Sequence, residues 1–186
     1  MQRESVNAGA HCGATLIRRA DTVESCKASG RYVVECRRSD GSLHWREEID
    51  NLVTTVGKNK MLDEALAGSA YTAAWYIGLI SSTGYTTGPA VGDTMASHAG
   101  WQEDQNYTEA ARPTTAWSAA ASGEKALSAA LTFSINATTT IKGCFLVDNA
   151  TKGGTTGVLY SAGLFTGGDK AAANGDTLNV SYTATL

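Results

Sequence analysis

Three histidines and four cysteines are the residues of this chain able to do the widest chemistry: His11, His44 and His98, with Cys12, Cys26, Cys36 and Cys144. No two cysteines form a C-x-x-C pair. A zinc site would need His11 or His44 to join Cys12, Cys26 and Cys36, and those spacings fit no standard finger. The expectation is four free thiols in or near packed strands, with no metal site. Nucleophilic catalysis by serine wants a G-x-S-x-G elbow. Gly41-Ser42 and Gly68-Ser69 lack the second glycine. His98 lies in Ala96-Ser97-His98-Ala99-Gly100-Trp101 with no nucleophile spaced to join it, so it is expected to fasten a loop rather than act as a base.

The carboxylates point the same way. Glu103, Asp104 and Glu109 are the nearest approach to a glycosidase pair, but the expectation for them is a solvated acidic loop. Asp93, Asp148, Asp169 and Asp176 stand in Gly- and Asn-rich turns, where Asp is favoured by turn geometry alone. The calcium array D-x-[DN]-x-[DN]-G is absent, as are a Walker loop and a G-x-G-x-x-G opening a helix. No catalytic residue, cofactor site or metal site is therefore assigned. Two basic doublets remain, Arg18-Arg19 and Arg37-Arg38, together with four tryptophans, Trp45, Trp75, Trp101 and Trp117. The tryptophans could build a sugar platform, but in an all-β chain they are expected mainly as core pillars.

The elements that carry these residues follow from composition and turns. The chain has 186 residues, 42 % of them hydrophobic and 18 % charged, with 20 Gly and 2 Pro. A chain this long forms one domain and buries roughly 70 % of its unfolded surface. Fifteen basic against eighteen acidic residues give a net charge of −3, which argues against bulk nucleic-acid binding. No apolar run approaches the ~20 residues of a membrane span, and the N-terminus lacks a signal-peptide pattern, so a soluble protein made in a cytoplasm is expected. Charge is concentrated early: residues 1–64 hold ten basic and ten acidic side chains.

Residues 1–30 show little periodicity beyond a possible strand at Ala14 to Arg19, and read as an N-terminal arm or edge segment. Residues 31–186 read as one β-sandwich domain. Arg31–Arg38 is a strand ending in the turn Ser39-Asp40-Gly41, and a return strand runs through Leu43, Trp45 and Glu47 toward Thr55. Gly57 to Leu66 is the one helix, with Met61, Leu62, Ala65 and Leu66 on its apolar face. Ala73 to Ile80 is apolar throughout and reads as a buried strand, either covered on both faces or lying at the centre of the sandwich. A long Gly-rich section, Ser81 to Asn106, follows. Strands are then expected at Thr114 to Ser118, Ala126 to Ile135, Thr139 to Val147, Gly157 to Phe165 and Thr177 to Leu186. The fold class is all-β: a jelly-roll-like antiparallel β-sandwich with one short helix and an N-terminal arm.

Five stretches carry a resemblance. They are the Asp40-Gly41 hairpin with Trp45; Asn51-Leu52-Val53-Thr54 with Gly57 and Met61-Leu62-Asp63-Glu64-Ala65-Leu66; Trp75-Tyr76-Ile77-Gly78-Leu79; Gly92-Asp93-Thr94-Met95-Ala96-Ser97-His98-Ala99-Gly100-Trp101-Gln102-Glu103 with Tyr107 and Arg112-Pro113; and Ser161-Ala162-Gly163-Leu164-Phe165 with Gly175-Asp176-Thr177-Leu178-Asn179-Val180-Ser181-Tyr182-Thr183. Over residues 31–186 this resembles the head decoration (cement) proteins of tailed bacteriophages. The resemblance implies a jelly-roll domain on the exterior of a capsid, with no enzyme activity and no cofactor, and it transfers no binding residue.

The expected partner is the major capsid protein, bridged between neighbouring subunits by a homo-oligomer on the shell, without direct nucleic acid or membrane contact. The charged first third is expected to supply most of the contact, through Arg18, Arg19, Arg37 and Arg38 and an unpaired strand around Arg31–Arg38 that adds to a sheet of the shell. The alternative is a tail-associated or receptor-binding module that recognises a surface glycan.

Overall fold

A computed structural model describes residues 27–66 and 74–186. The strand expected at Ala14–Arg19, together with Arg18, Arg19, Cys12 and Cys26, lies outside the described residues. The remainder is an all-β sandwich of two antiparallel sheets with one helix.

The first sheet begins with β1 (Ser29–Arg37) and β2 (Leu43–Asp50), the hairpin expected around Asp40-Gly41. The Arg38 N–H donates to the Ser42 carbonyl at 2.9 Å, the Ser42 N–H donates to Asp40 Oδ1 at 2.8 Å, and Gly41 takes φ +84°, which a side chain would resist. The chain does not run on as one strand to Thr55. It turns a corner at Asn51, whose N–H donates to the Gly30 carbonyl and whose Nδ2 donates to the Tyr182 hydroxyl at 2.8 Å. Beyond that corner, β3 (Leu52–Val53) belongs to the second sheet.

Helix α1 (Thr55–Leu66) starts two residues before the expected Gly57, because Thr54 caps it: its Oγ1 accepts the Gly57 N–H at 3.0 Å and donates to the Leu159 carbonyl. Gly57 is pressed so close to Tyr160 that a Cβ there would sit 2.5 Å from its carbonyl oxygen. Met61 also docks, accepting the Tyr160 hydroxyl at Sδ. Leu62 and Leu66 instead remain exposed, contrary to the apolar face expected of them. The helix is held by its first turns, so only the Gly57–Met61 side reaches the core.

The second sheet adds β4 (Tyr76–Ser81), β5 (Glu103–Asp104), β8 (Thr139–Val147), β9 (Leu159–Leu164) and β10 (Lys170–Ala172) in the order β3-β9-β8-β4-β5, with β10 on β8. The first sheet is completed by β11 (Thr177–Thr185) beside β1, and by β6 (Glu124–Ala126) and β7 (Leu131–Ser134) on the far side of β11. The strand expected over Ala126–Ile135 is thus two short pieces, because Ser128, Ala129 and Ala130 are exposed and Ser128 bonds to the Ala116 carbonyl instead of the ladder. The stretch Thr114–Ser118 makes only isolated bridges, Tyr76 with Thr114 and Trp117 with Leu127.

Both faces of β4 are covered, as its continuous apolarity requires. Ile77 and Leu79 join the inter-sheet core with Tyr32, Val34, Cys36, Ile141, Leu146, Leu178, Val180 and Tyr182. Ile80 faces the other way, into a second cluster with Phe145, Val147, Leu159, Met95 and Trp101. The long Gly-rich section therefore lids the outer face of the second sheet, with Trp101 as its anchor. On β11 the alternation is regular, Leu178, Val180 and Tyr182 inward, as one buried face demands. Among the described residues no helix is long and apolar enough to cross a membrane.

Candidate functional site

The β1–β2 hairpin carries the densest charge of the described chain. Its inward residues, Tyr32, Val34, Cys36 and Ile49, are buried. Its outward residues form a cross-strand lattice. Arg31 reaches Glu48 at 3.2 Å and Asp50 at 3.1 Å, Arg46 reaches Glu35 at 3.4 Å and Glu48 at 2.7 Å, and Arg37 reaches Glu35 at 3.3 Å. These pairs are solvent-exposed and individually weak, but they hold the outward face in one pattern of charge. Arg37 also donates to the Gly41 carbonyl at 3.2 Å, while Arg38 is exposed at the tip.

The strand expected to offer an open edge is not open. β1 is paired on one side with β2 and on the other with β11 over its whole length, Ser29 opposite Thr185 through Arg37 opposite Thr177. The C-terminal strand claims it because its alternating inward face completes the same core. Among the described residues β6 and β7 lie at the far edge of this sheet, and the edge on the hairpin side is that of β2. Its exposed Arg46, Glu48 and Asp50 are the kind of charged side chains that keep an edge strand from indiscriminate pairing.

The other candidate residues are used structurally. His98 donates from Nδ1 to the Trp101 carbonyl at 3.0 Å and lies against the indole at 4.1 Å between ring centres. Glu103 is taken by Arg112 in a bidentate pair of 2.9 and 2.8 Å, and it also accepts the Gly153 N–H and the Tyr107 hydroxyl. Asp104 accepts Asn106 N–H and the Thr139 hydroxyl, and Glu109 accepts the Ser134 N–H. Asp93 joins the Ala90 N–H and the Trp101 indole N–H. Asp148 accepts the Val158 N–H and Asp169 pairs with Lys142. Trp101 is buried, and Trp45 packs on Phe165 while donating to the Ala171 carbonyl at 2.8 Å. Trp75 and Trp117 are half-buried and line an apolar groove of about 340 Å³ with Met61, Tyr160 and Leu186.

One grouping was illegible in the sequence. Cys36 on β1, His44 on β2 and Asp176 before β11 meet at the end of the first sheet. Cys36 Sγ lies 4.0 Å from His44 Nδ1 and 3.7 Å from Asp176 Oδ2, and His44 Nδ1 is 3.8 Å from the same oxygen. Burial, reinforced by the Asp176 carboxylate, pushes the Cys36 thiol up to about 12. Cys144 is likewise a free, buried thiol, raised by burial alone.

No protein-family model matches the sequence, and no curated protein is significantly similar to it.

Proposed function

We propose that this protein is a virion structural protein that binds the outside of a phage capsid and bridges major capsid subunits, stabilising the head. The observation that carries the reading is the β1–β2 hairpin: a β2 edge that no other described strand pairs with, beside a lattice of cross-strand charge pairs, ending in the exposed Arg37-Arg38 tip. A sandwich with cores on both sides of its second sheet is a rigid carrier for such an edge. Main-chain pairing along β2 would supply affinity, and the arginines would supply register against an acidic surface. Bridging two subunits makes the second contact intramolecular and raises binding by roughly 10²–10⁴-fold. The resemblance in the five sequence stretches supports the same reading.

The test is a set of heads made without the protein. They are expected to release DNA at lower temperature than decorated heads, since a ligand of the assembled shell stabilises it by mass action. Arg37→Glu/Arg38→Glu should leave the melting temperature of the isolated protein unchanged and weaken its retention on heads. A truncation of the arm should end at residue 26, because Ser29 and Gly30 pair with Thr185 and Ala184. Equal heat stability of heads with and without the protein refutes the role.

The second reading, a tail-associated module that binds a surface glycan, is favoured by the groove of Trp75 and Trp117, since half-buried indoles are good stacking surfaces for sugar rings. Copy number separates the two: hundreds per particle for decoration, a handful for a tail part.

A further inference from the structure

We propose that Cys36, His44 and Asp176 form a site for one thiophilic divalent metal ion of the zinc class, with a fourth position open to water. The proposal stands independently of the capsid reading. Its first support is the way the fold assembles the three side chains. Cys36 lies on the inward face of β1, opposite Leu178 of β11, so Asp176, two residues before Leu178, shares that face. His44 would not, by alternation with its inward neighbour Trp45. The β1–β2 register, however, pairs Cys36 with Trp45 and Arg37 with Leu43, leaving His44 as the extra residue of a bulge. A bulge re-aims a side chain, and here it brings the imidazole beside the thiol and the carboxylate.

The geometry is that of a metal-binding trio. A triangle with sides of 4.0, 3.8 and 3.7 Å has a point about 2.2 Å from all three corners, within the ~2.0–2.3 Å of zinc bonds to sulfur, nitrogen and oxygen. Tetrahedral coordination needs each separation to close by only a few tenths of an ångström. The donor set is selective: thiolate and imidazole suit zinc and its neighbours, whereas calcium and magnesium want oxygen alone. A thiolate and a carboxylate also balance the two charges of the ion, and binding releases the thiol proton to solvent.

The surroundings hold the donors in place. Asp176 Oδ2 accepts the Ala173 N–H at 2.9 Å across a turn in which Gly175 takes φ +90°. Cys36 sits on a strand paired on both sides. The Cys36 and Asp176 side chains are almost wholly enclosed, but the His44 side chain is 28 % exposed, so an ion reaches the trio past the imidazole. A bound ion would staple the hairpin, just below the Arg37-Arg38 tip, to the C-terminal strand.

The experiment is titration of the full-length protein with Co²⁺, then Zn²⁺, after stripping with a chelator. A Cys12→Ser/Cys26→Ser background ensures that any thiolate signal comes from Cys36 or Cys144. One Co²⁺ per chain is expected, with a thiolate-to-cobalt charge-transfer band and the intense visible bands of a tetrahedral ion, both bleached by Zn²⁺. Cys36→Ser should abolish the charge-transfer band, and His44→Gln and Asp176→Asn should weaken binding at least tenfold. Zn²⁺ at a hundredfold excess over its Kd should raise the melting temperature by roughly 5–10 °C. Should Cys36→Ser fail to fold in the chelator, the parent titration and His44→Gln, the most exposed of the three, decide the matter. The absence of a charge-transfer band in the parent overturns the proposal, as does a band that survives Cys36→Ser or binding unchanged in His44→Gln.

Discussion

Replacing Arg112 by Met should cost this fold about 3–5 kcal/mol, the usual result of removing one partner from a buried ion pair. The Arg112 side chain is fully enclosed and that of Glu103 is 6 % exposed. The guanidinium donates twice to Glu103, once to the Asn149 carbonyl and once to the Gly154 carbonyl, all between 2.8 and 2.9 Å, and lies over the Phe145 ring. Summing four charge-assisted bonds would overshoot, because each replaces a bond to water. The dominant loss is that the Glu103 carboxylate stays buried with its counter-charge gone. At ~2–4 °C per kcal/mol for a chain of this length, the melting temperature should fall by roughly 6–20 °C. Urea unfolding followed by tryptophan fluorescence measures the change directly, with Trp101, tilted against the Phe145 ring, as a local reporter. The double variant Arg112→Met/Glu103→Met removes the stranded charge and should be more stable than Arg112→Met alone. A loss below 1 kcal/mol for the single variant, or a double variant as unstable as the sum of the singles, would refute the reasoning.

Gly143→Ala should destabilise by about 3 kcal/mol in the same assay, since a Cβ there meets the Gly163 carbonyl oxygen across the β8–β9 pair at 1.9 Å and backbone cannot swing aside. Gly92→Ala, where nothing lies within 4 Å, should stay within ~0.5 kcal/mol. Stability should also fall at alkaline pH. The folded state holds Cys36 protonated up to about 12, against an ordinary value of 9.0, and burial raises Tyr32, Tyr107, Tyr160 and Tyr182 too. A raised acid binds its proton more tightly when folded, so its contribution is complete below pH 9 and is lost as the unfolded chain ionises above it. Urea midpoints should fall steadily from pH 9 toward 11; midpoints that rise over that range would contradict the burial of these groups.

What the chain determines by itself is local. Asp40-Gly41 makes a turn wherever it occurs between strand-forming runs, and the Leu178-Val180-Tyr182 alternation needs one buried face whatever lies opposite. The unbroken apolarity around Ile77–Ile80 likewise demands cover on both sides, though not by which segment. Tertiary structure decided which segments meet. Nothing near Asn51 in sequence announces a corner, because its partners Gly30 and Tyr182 are distant. Leu62 and Leu66 have helical spacing, yet docking through Gly57 and Met61 leaves them in water. Glu103 and Arg112 carry no motif, and their enclosure depends on Asn149 and Gly154 arriving from the β8–β9 loop. Cys36, His44 and Asp176 span 140 residues, and a one-residue bulge decides whether His44 faces the thiol or the solvent. Periodicity reports which face of a strand is buried. Register, pairing and bulges are settled only when all the strands compete for the same core, and the convergence of polar side chains follows from that settlement.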